Sequence, residues 1–218
     1  MYDQITTAAE ARHLAVLGGF HPERKDIGLD GIGTILLLGP HEPGFWPHVT
    51  QTPEFLDYER HPIDRWSRRV LTDLAGQFGA RTYFPFTGPP YHPFYQWALR
   101  TQRCHVSPIN LLVHDTAGLF ASFRGALGLA DRIKLPPPPA SPCITCTDQP
   151  CVTACPVDAF SGEFYDVDAC RGAIGSDDPK ACLSRGCAAR RACPASQAYG
   201  RLETQSSFHM RIFLENGS

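Results

Sequence analysis

No apolar run in this chain reaches the roughly 18 residues that a membrane-crossing helix needs, so the sequence predicts no membrane span. Excess basic charge is missing too. Twenty Lys and Arg against 22 Asp and Glu leave a formal charge of −2, which gives no support for nucleic-acid binding, normally marked by a basic domain. The opening stretch Met1–Thr7 has neither a basic n-region nor an apolar h-region, and the expectation is a cytoplasmic protein. In that reducing compartment clustered cysteines serve metals more often than disulfides. Asn216-Gly217-Ser218 fits a glycosylation pattern, which carries no meaning for a cytoplasmic chain. Internal repeats are absent apart from two cysteine-rich halves, and low-complexity tracts are absent apart from one run of prolines.

What is present is cysteine. Eight of the nine lie between residues 143 and 193; the ninth, Cys104, reads as a small buried hydrophobe. The first half runs Cys143-x2-Cys146-x4-Cys151-x3-Cys155-Pro156. Such spacing lets one turning loop aim three sulfurs at one cluster, with the fourth cysteine, before a proline, free to serve a neighbouring one. Cys143-x2-Cys146 alone would also suit a zinc site. Zinc does not account for the Cys-Pro ending or the apolar residues around it. The second half supplies Cys170, Cys182, Cys187 and Cys193-Pro194 at wider gaps of eleven, four and five residues. Phe160 and Tyr199 follow the two Cys-Pro pairs.

Residues 143 to about 200 resemble bacterial-type dicluster ferredoxin domains. By that resemblance Cys143, Cys146, Cys151 and Cys193 hold one [4Fe-4S] cluster, and Cys155, Cys170, Cys182 and Cys187 hold a second.

Upstream, the sequence predicts a helix over 5–17 stopped by Gly18-Gly19, and a buried strand over Ile35–Gly39. Gly31-x-Gly33 precedes that strand, whereas a dinucleotide fingerprint would follow it, so the pair reads as a turn. A helix over 61–78 begins at Pro62 and stops at Gly79, with Arg65, Arg68 and Arg69 on a solvated face. A strand over 82–86 is broken by Pro85, and a short helix covers 94–101. Residues 109–113 and 119–127 read as a hairpin across the turn at 114–118. Pro136-Pro137-Pro138-Pro139 can join neither helix nor sheet, and forms a semi-rigid spacer. The division expected is therefore 1–135 as an α+β domain, 136–142 as linker, and 143–218 as a ferredoxin-like iron–sulfur domain whose tail, 208–214, packs back as a helix.

The order of these parts, with Thr87-Gly88-Pro89 and Ile109–Leu129, resembles epoxyqueuosine reductase and the related cobalamin chaperones. The resemblance implies a nitroreductase-like first domain that binds cobalamin or flavin. By the same resemblance Arg124, in Phe120-x2-Phe123-Arg124-Gly125, lines the cofactor pocket. The reductases carry an aspartate proton donor before Thr-Gly-Pro. Phe86 stands there in this chain, so the reductase activity does not carry over. His92, His105 and His114 are nearest that pocket in sequence, and none has a spacing that singles it out as a ligand.

Three functions follow as expectations. The first is an electron-transfer protein with two [4Fe-4S] clusters and a redox partner protein, Lys180, Arg185, Arg190 and Arg191 lying near the second ligand set. In the second, the clusters reduce a corrinoid or flavin held by the first domain. The third is a structural or sensing protein stapled by metal.

Overall fold

The computed structural model describes residues 1–162 and 164–215; the glycosylation pattern at 216–218 lies outside them. The fold is α+β. Two compact units divide the chain: Met1–Arg103 with Ser122–Pro139, and Cys104–Ala121 with Ala140–Ser218. The break after Pro139 falls in the proline run. Residues 104–121, however, belong with the cysteine-rich segment and not with the domain that the sequence assigned them to.

In chain order, α1 (Tyr2–Glu10) buries Ile5 and Ala9. It stops short of the predicted end because His13 takes a left-handed backbone (φ 57°), and Leu14–Phe20 becomes strand β1. Gly18 and Gly19 sit inside that strand, beside a bulge between Val16 and Gly18. Strand β2 (Thr34–Pro40) is buried throughout, as its apolar run predicts. Two short helices, α2 (Phe45–Val49) and α3 (Pro53–Leu56), precede α4 (Pro62–Phe78). The last matches its sequence bounds because Pro62 opens it and Gly79 closes it in the left-handed region. Then come β3 (Arg81–Tyr83), α5 (Phe94–Arg100), β4 (Cys104–Val106), β5 (Leu112–His114) and β6 (Gly125–Leu129). Helices α6 (Val167–Ser176), α7 (Cys182–Arg185), α8 (Ala188–Ala192), α9 (Pro194–Ala198) and α10 (Glu203–Glu215) complete the chain.

The first unit is a four-stranded antiparallel sheet in the order β1-β2-β6-β3. Helix α4 packs on β6 and β3, burying Ile63, Trp66, Val70, Leu71 and Leu74. Gly125 allows the approach, since a Cβ there would stand 2.6 Å from Leu71 Cδ1. The arginines of α4 do more than face solvent. Arg65 grips Asp57 through both Nη atoms (2.6 and 2.7 Å), and Arg69 grips Glu54 (2.5 and 3.0 Å), tying α3 to α4. Arg68 lies over the rings of Phe84 and Phe86.

The second unit corrects the predicted hairpin. Strand β5 pairs back with β4 in the register Cys104↔His114, and β6 joins the other unit's sheet. The turn after β5 is fixed by His114, which is fully buried and accepts from the N–H groups of Thr116 and Ala117 on Nδ1, both at 3.1 Å. Leu119 is held at both backbone atoms: its N–H donates to Ser196 Oγ (2.8 Å) and its carbonyl accepts from Arg190 (2.8 Å). Gly118, at φ 55°, meets Ser196 where a side chain would collide. The tail forms α10 as expected, packed on α7 and α6.

Candidate metal-binding site

Three residue types at close spacing build the site: cysteine for ligation, proline to end each turn, small apolar residues to let backbones approach. Residues 141–155 form no regular helix or strand. They follow successive tight turns, closed by Ile144 N–H to Ser141 O (3.1 Å), Cys146 N–H to Cys143 O (3.3 Å) and Val152 N–H to Gln149 O (3.0 Å). In the second half Cys170 lies within α6, Cys182 opens α7, and Cys187 and Cys193 immediately precede α8 and α9.

These turns sort the eight thiols into two cavities. One is lined by Cys143, Cys146, Cys151 and Cys193. The other is lined by Cys155, Cys170, Cys182 and Cys187. The sorting crosses the sequence order: Cys155 leaves its own run for the second cavity, and Cys193 returns to the first. All eight are free thiols. Among the described residues, no group of three or more His, Cys, Asp or Glu is placed to hold a metal ion.

The electrostatics follow the same partition. Burial pushes the Cys143 and Cys151 thiols up, and the remaining thiols of the first cavity push them further. Burial likewise raises Cys170 and Cys182, with Cys187 adding to both. Four thiolates facing one another cannot all stay charged without a cation among them. Two features favour charge on the second set: Tyr165 donates to Cys170, and the N–H of Ala159 reaches Cys155 Sγ at 3.3 Å. Burial, then that contact with Cys170, holds the Tyr165 hydroxyl well above the ordinary range, so it remains a donor. Its ring stacks on Phe160 (4.7 Å) and on Phe213 of α10 (6.3 Å).

No protein-family model, curated protein or solved structure matches the chain. The chemistry is therefore read from the residues alone.

Four residues that the sequence did not single out wall the first cavity from the 104–121 segment: Ser107, Pro108, Val113 and Leu119. Ser107 is 4% exposed, and its hydroxyl has no hydrogen-bond partner. Met210 of α10 walls the second cavity, alongside Phe160 and Ile174. Nothing in the local sequence around Ser107 marks it, because its role depends on a fold contact with residues more than thirty positions away.

The basic residues near the second set are braces. Lys180 donates to Ala154 O (2.9 Å), Arg190 to Leu119 O, and Arg191 to the carbonyls of Gly186 and Lys180 (2.9 and 2.6 Å). Arg185 pairs with Glu203 at 2.6 Å.

Arg124 lies in the first unit, just before β6. Its backbone N–H donates to Leu38 O (2.7 Å), and its guanidinium stands 3.8 Å from Asp64. The side chain is 16% exposed and its Nε has no partner. Phe86 and Asp64 line an open depression of about 550 Å³ with His61, Arg65 and Arg68. The three histidines do not converge. His92 stacks on Trp97 in the first unit, whereas His105 and His114 belong to β4 and β5 of the second.

Proposed function

We propose that this chain is an iron–sulfur electron-transfer protein, with a ferredoxin-like second unit carrying two [4Fe-4S] clusters. Cys143, Cys146, Cys151 and Cys193 would hold the first, and Cys155, Cys170, Cys182 and Cys187 the second. The observation that carries the proposal is the crossed sorting of eight thiols into two four-thiol cavities. An all-thiol donor set is soft and suits iron–sulfur clusters or zinc. A further feature fits clusters: the buried hydroxyl of Ser107, which lines the first cavity, lacks a partner. When bound, the clusters supply one-electron chemistry at potentials set by hydrogen bonds, charge and burial.

The chain's own part is to hold, tune and connect. Cys151 and Cys155 belong to different cavities, yet four residue steps place their Cα atoms at most about 14 Å apart, so the two centres are neighbours. Half-buried Cys143 and Cys146 flank Ile144, which is exposed and gives this side of the first centre an apolar surface. A redox partner protein would meet it there. Iron and sulfide quantitation of anaerobically purified protein tests the assignment. About eight irons per chain, with broad visible absorption, is the expected result. A colourless protein with about two zinc ions would replace it with the metal-stapled structural reading.

A second reading rests on the buried Nε of Arg124, which lacks a partner. In it, the first unit is a nitroreductase-like module that takes cobalamin or a flavin, and the clusters reduce it. Titration of loaded protein with each cofactor should then show binding, weakened about ten- to a hundred-fold by Arg124→Ala through the loss of one charged hydrogen bond. Failure of both to bind at high micromolar concentration removes this reading and leaves the first intact.

A further inference from the structure

The first cavity has a wall that the cysteine segment does not supply. Its residues come from the β4–β5 hairpin and the turn beyond it, held in place by the two hydrogen bonds at Leu119. Three of those wall residues, Pro108, Val113 and Leu119, present carbon only. The fourth, Ser107, presents a hydroxyl. Its backbone N–H donates to Leu111 O (2.9 Å) and its carbonyl accepts from the N–H of Asn110 (2.9 Å). The backbone is thus satisfied and the side chain is not. A buried hydroxyl left unpaired costs about 1–3 kcal/mol, and an apolar residue would avoid that cost in an otherwise apolar wall. The oxygen is sealed from solvent, on a residue that lines the space faced by four thiols.

We infer that Ser107 is a hydrogen-bond donor to the sulfur of the first centre, and that it sets this centre's potential apart from the second. The inference rests on the two-cluster assignment above. A hydroxyl has one proton to give, and with no cysteine sulfur in hydrogen-bond reach of it, the acceptor would be a sulfide of the bound cluster. Reduction adds one electron and no bond, so the sulfurs become more negative and a donor aimed at them favours the reduced form. Removing that donor lowers the potential. The second cavity has no counterpart to Ser107 in its wall. It has instead the Tyr165 contact with Cys170. Each centre would then be tuned by a different hydroxyl from a different part of the chain.

The experiment is an EPR-monitored redox titration of the full-length, anaerobically loaded protein and its Ser107 variants. Ser107→Ala should shift the midpoint of one cluster to lower potential by a factor of about ten in the reduced-to-oxidised ratio, about 59 mV for one electron. The other cluster should not move, and Ser107→Thr, which keeps the hydroxyl, should stay near the wild-type value. Ser107→Val, matched to threonine in shape, guards against a packing defect and should behave as alanine does. If both hydroxyl-free variants lose four irons while Ser107→Thr keeps all eight, the contact is needed for loading and the inference stands. Unchanged midpoints in Ser107→Ala and Ser107→Val overturn it, as does an equal shift in Ser107→Thr; a buried water would then be the partner of the hydroxyl. Absence of clusters in wild-type protein is a different failure, that of the two-cluster assignment itself.

Discussion

Tyr165 links three things at once: Cys170 through its hydroxyl, Phe160 through one ring face, and Phe213 of α10 beyond. Tyr165→Phe keeps the ring and deletes only the donor. It should lower the potential of the cluster that Ser107→Ala leaves alone, and redox titration of the double variant should show both shifts independently. Ser196 makes a second single-residue test. It is 1% exposed and accepts the N–H of Leu119, so Ser196→Ala strands a buried donor. Chemical denaturation should report a loss of about 1–3 kcal/mol in the second unit. The raised thiols give a test by pH. In metal-free protein, Cys143, Cys151, Cys170 and Cys182 sit above the ordinary 9.0. Folding therefore favours their protonated forms, and that contribution is present below the unfolded value and lost as pH rises through the folded one. The melting temperature of the metal-free second unit should fall as pH is raised past 9, and ligation, which fixes the thiolates, should abolish the trend.

At the level of elements, α10 is the most exposed to a deletion test. Met210, Phe213 and Leu214 pack on the cluster of Ile174, Cys182 and Ala188, so removing residues after Arg201 opens the second cavity and spares the first. Iron content after brief air exposure should fall from about eight toward about four. The sequence announced this helix through its apolar spacing, and announced α4 still more clearly through Pro62 and Gly79. The cysteine runs were legible as well, since their spacing is a local property, and the structure gathers them into two four-thiol cavities. The hairpin was less legible. Residues 109–113 and 119–127 carry similar apolar runs on either side of a turn, and local pattern pairs them. What decides otherwise is the burial of His114 and the locking of Leu119 by Ser196 and Arg190, partners more than seventy residues away. The helix over 5–17 ends early for a related reason. Leu14 and Leu17 continue the helical spacing of Ile5, Ala8 and Ala9, but Leu14 and Val16 also fit a strand period, and pairing with β2 chose the strand. Arg190 and Arg191 read from the sequence only as charges near the second set of cysteines, because sequence gives no view of the carbonyls they hold.

For the whole molecule, loss of the proposed clusters should unfold the second unit before the first, because ligation would supply much of the stability of so cysteine-rich a body. Limited proteolysis of chelated protein should cut not only beyond residue 140 but also within 104–121; protection of that stretch in the metal-free state would contradict the division seen here. The same division bears on what can be cut out of the gene. All eight thiols lie between residues 143 and 193, so a fragment from 140 onward is complete if one counts ligands. It is incomplete if one counts walls. Val113 and Leu119 would be gone from the first cavity, Ser107 with them, and Ser196 and Arg190 would be left facing water. The cysteine segment is thus not a portable module: the wall of its second cavity travels with it, while part of the wall of its first belongs to the chain translated before it.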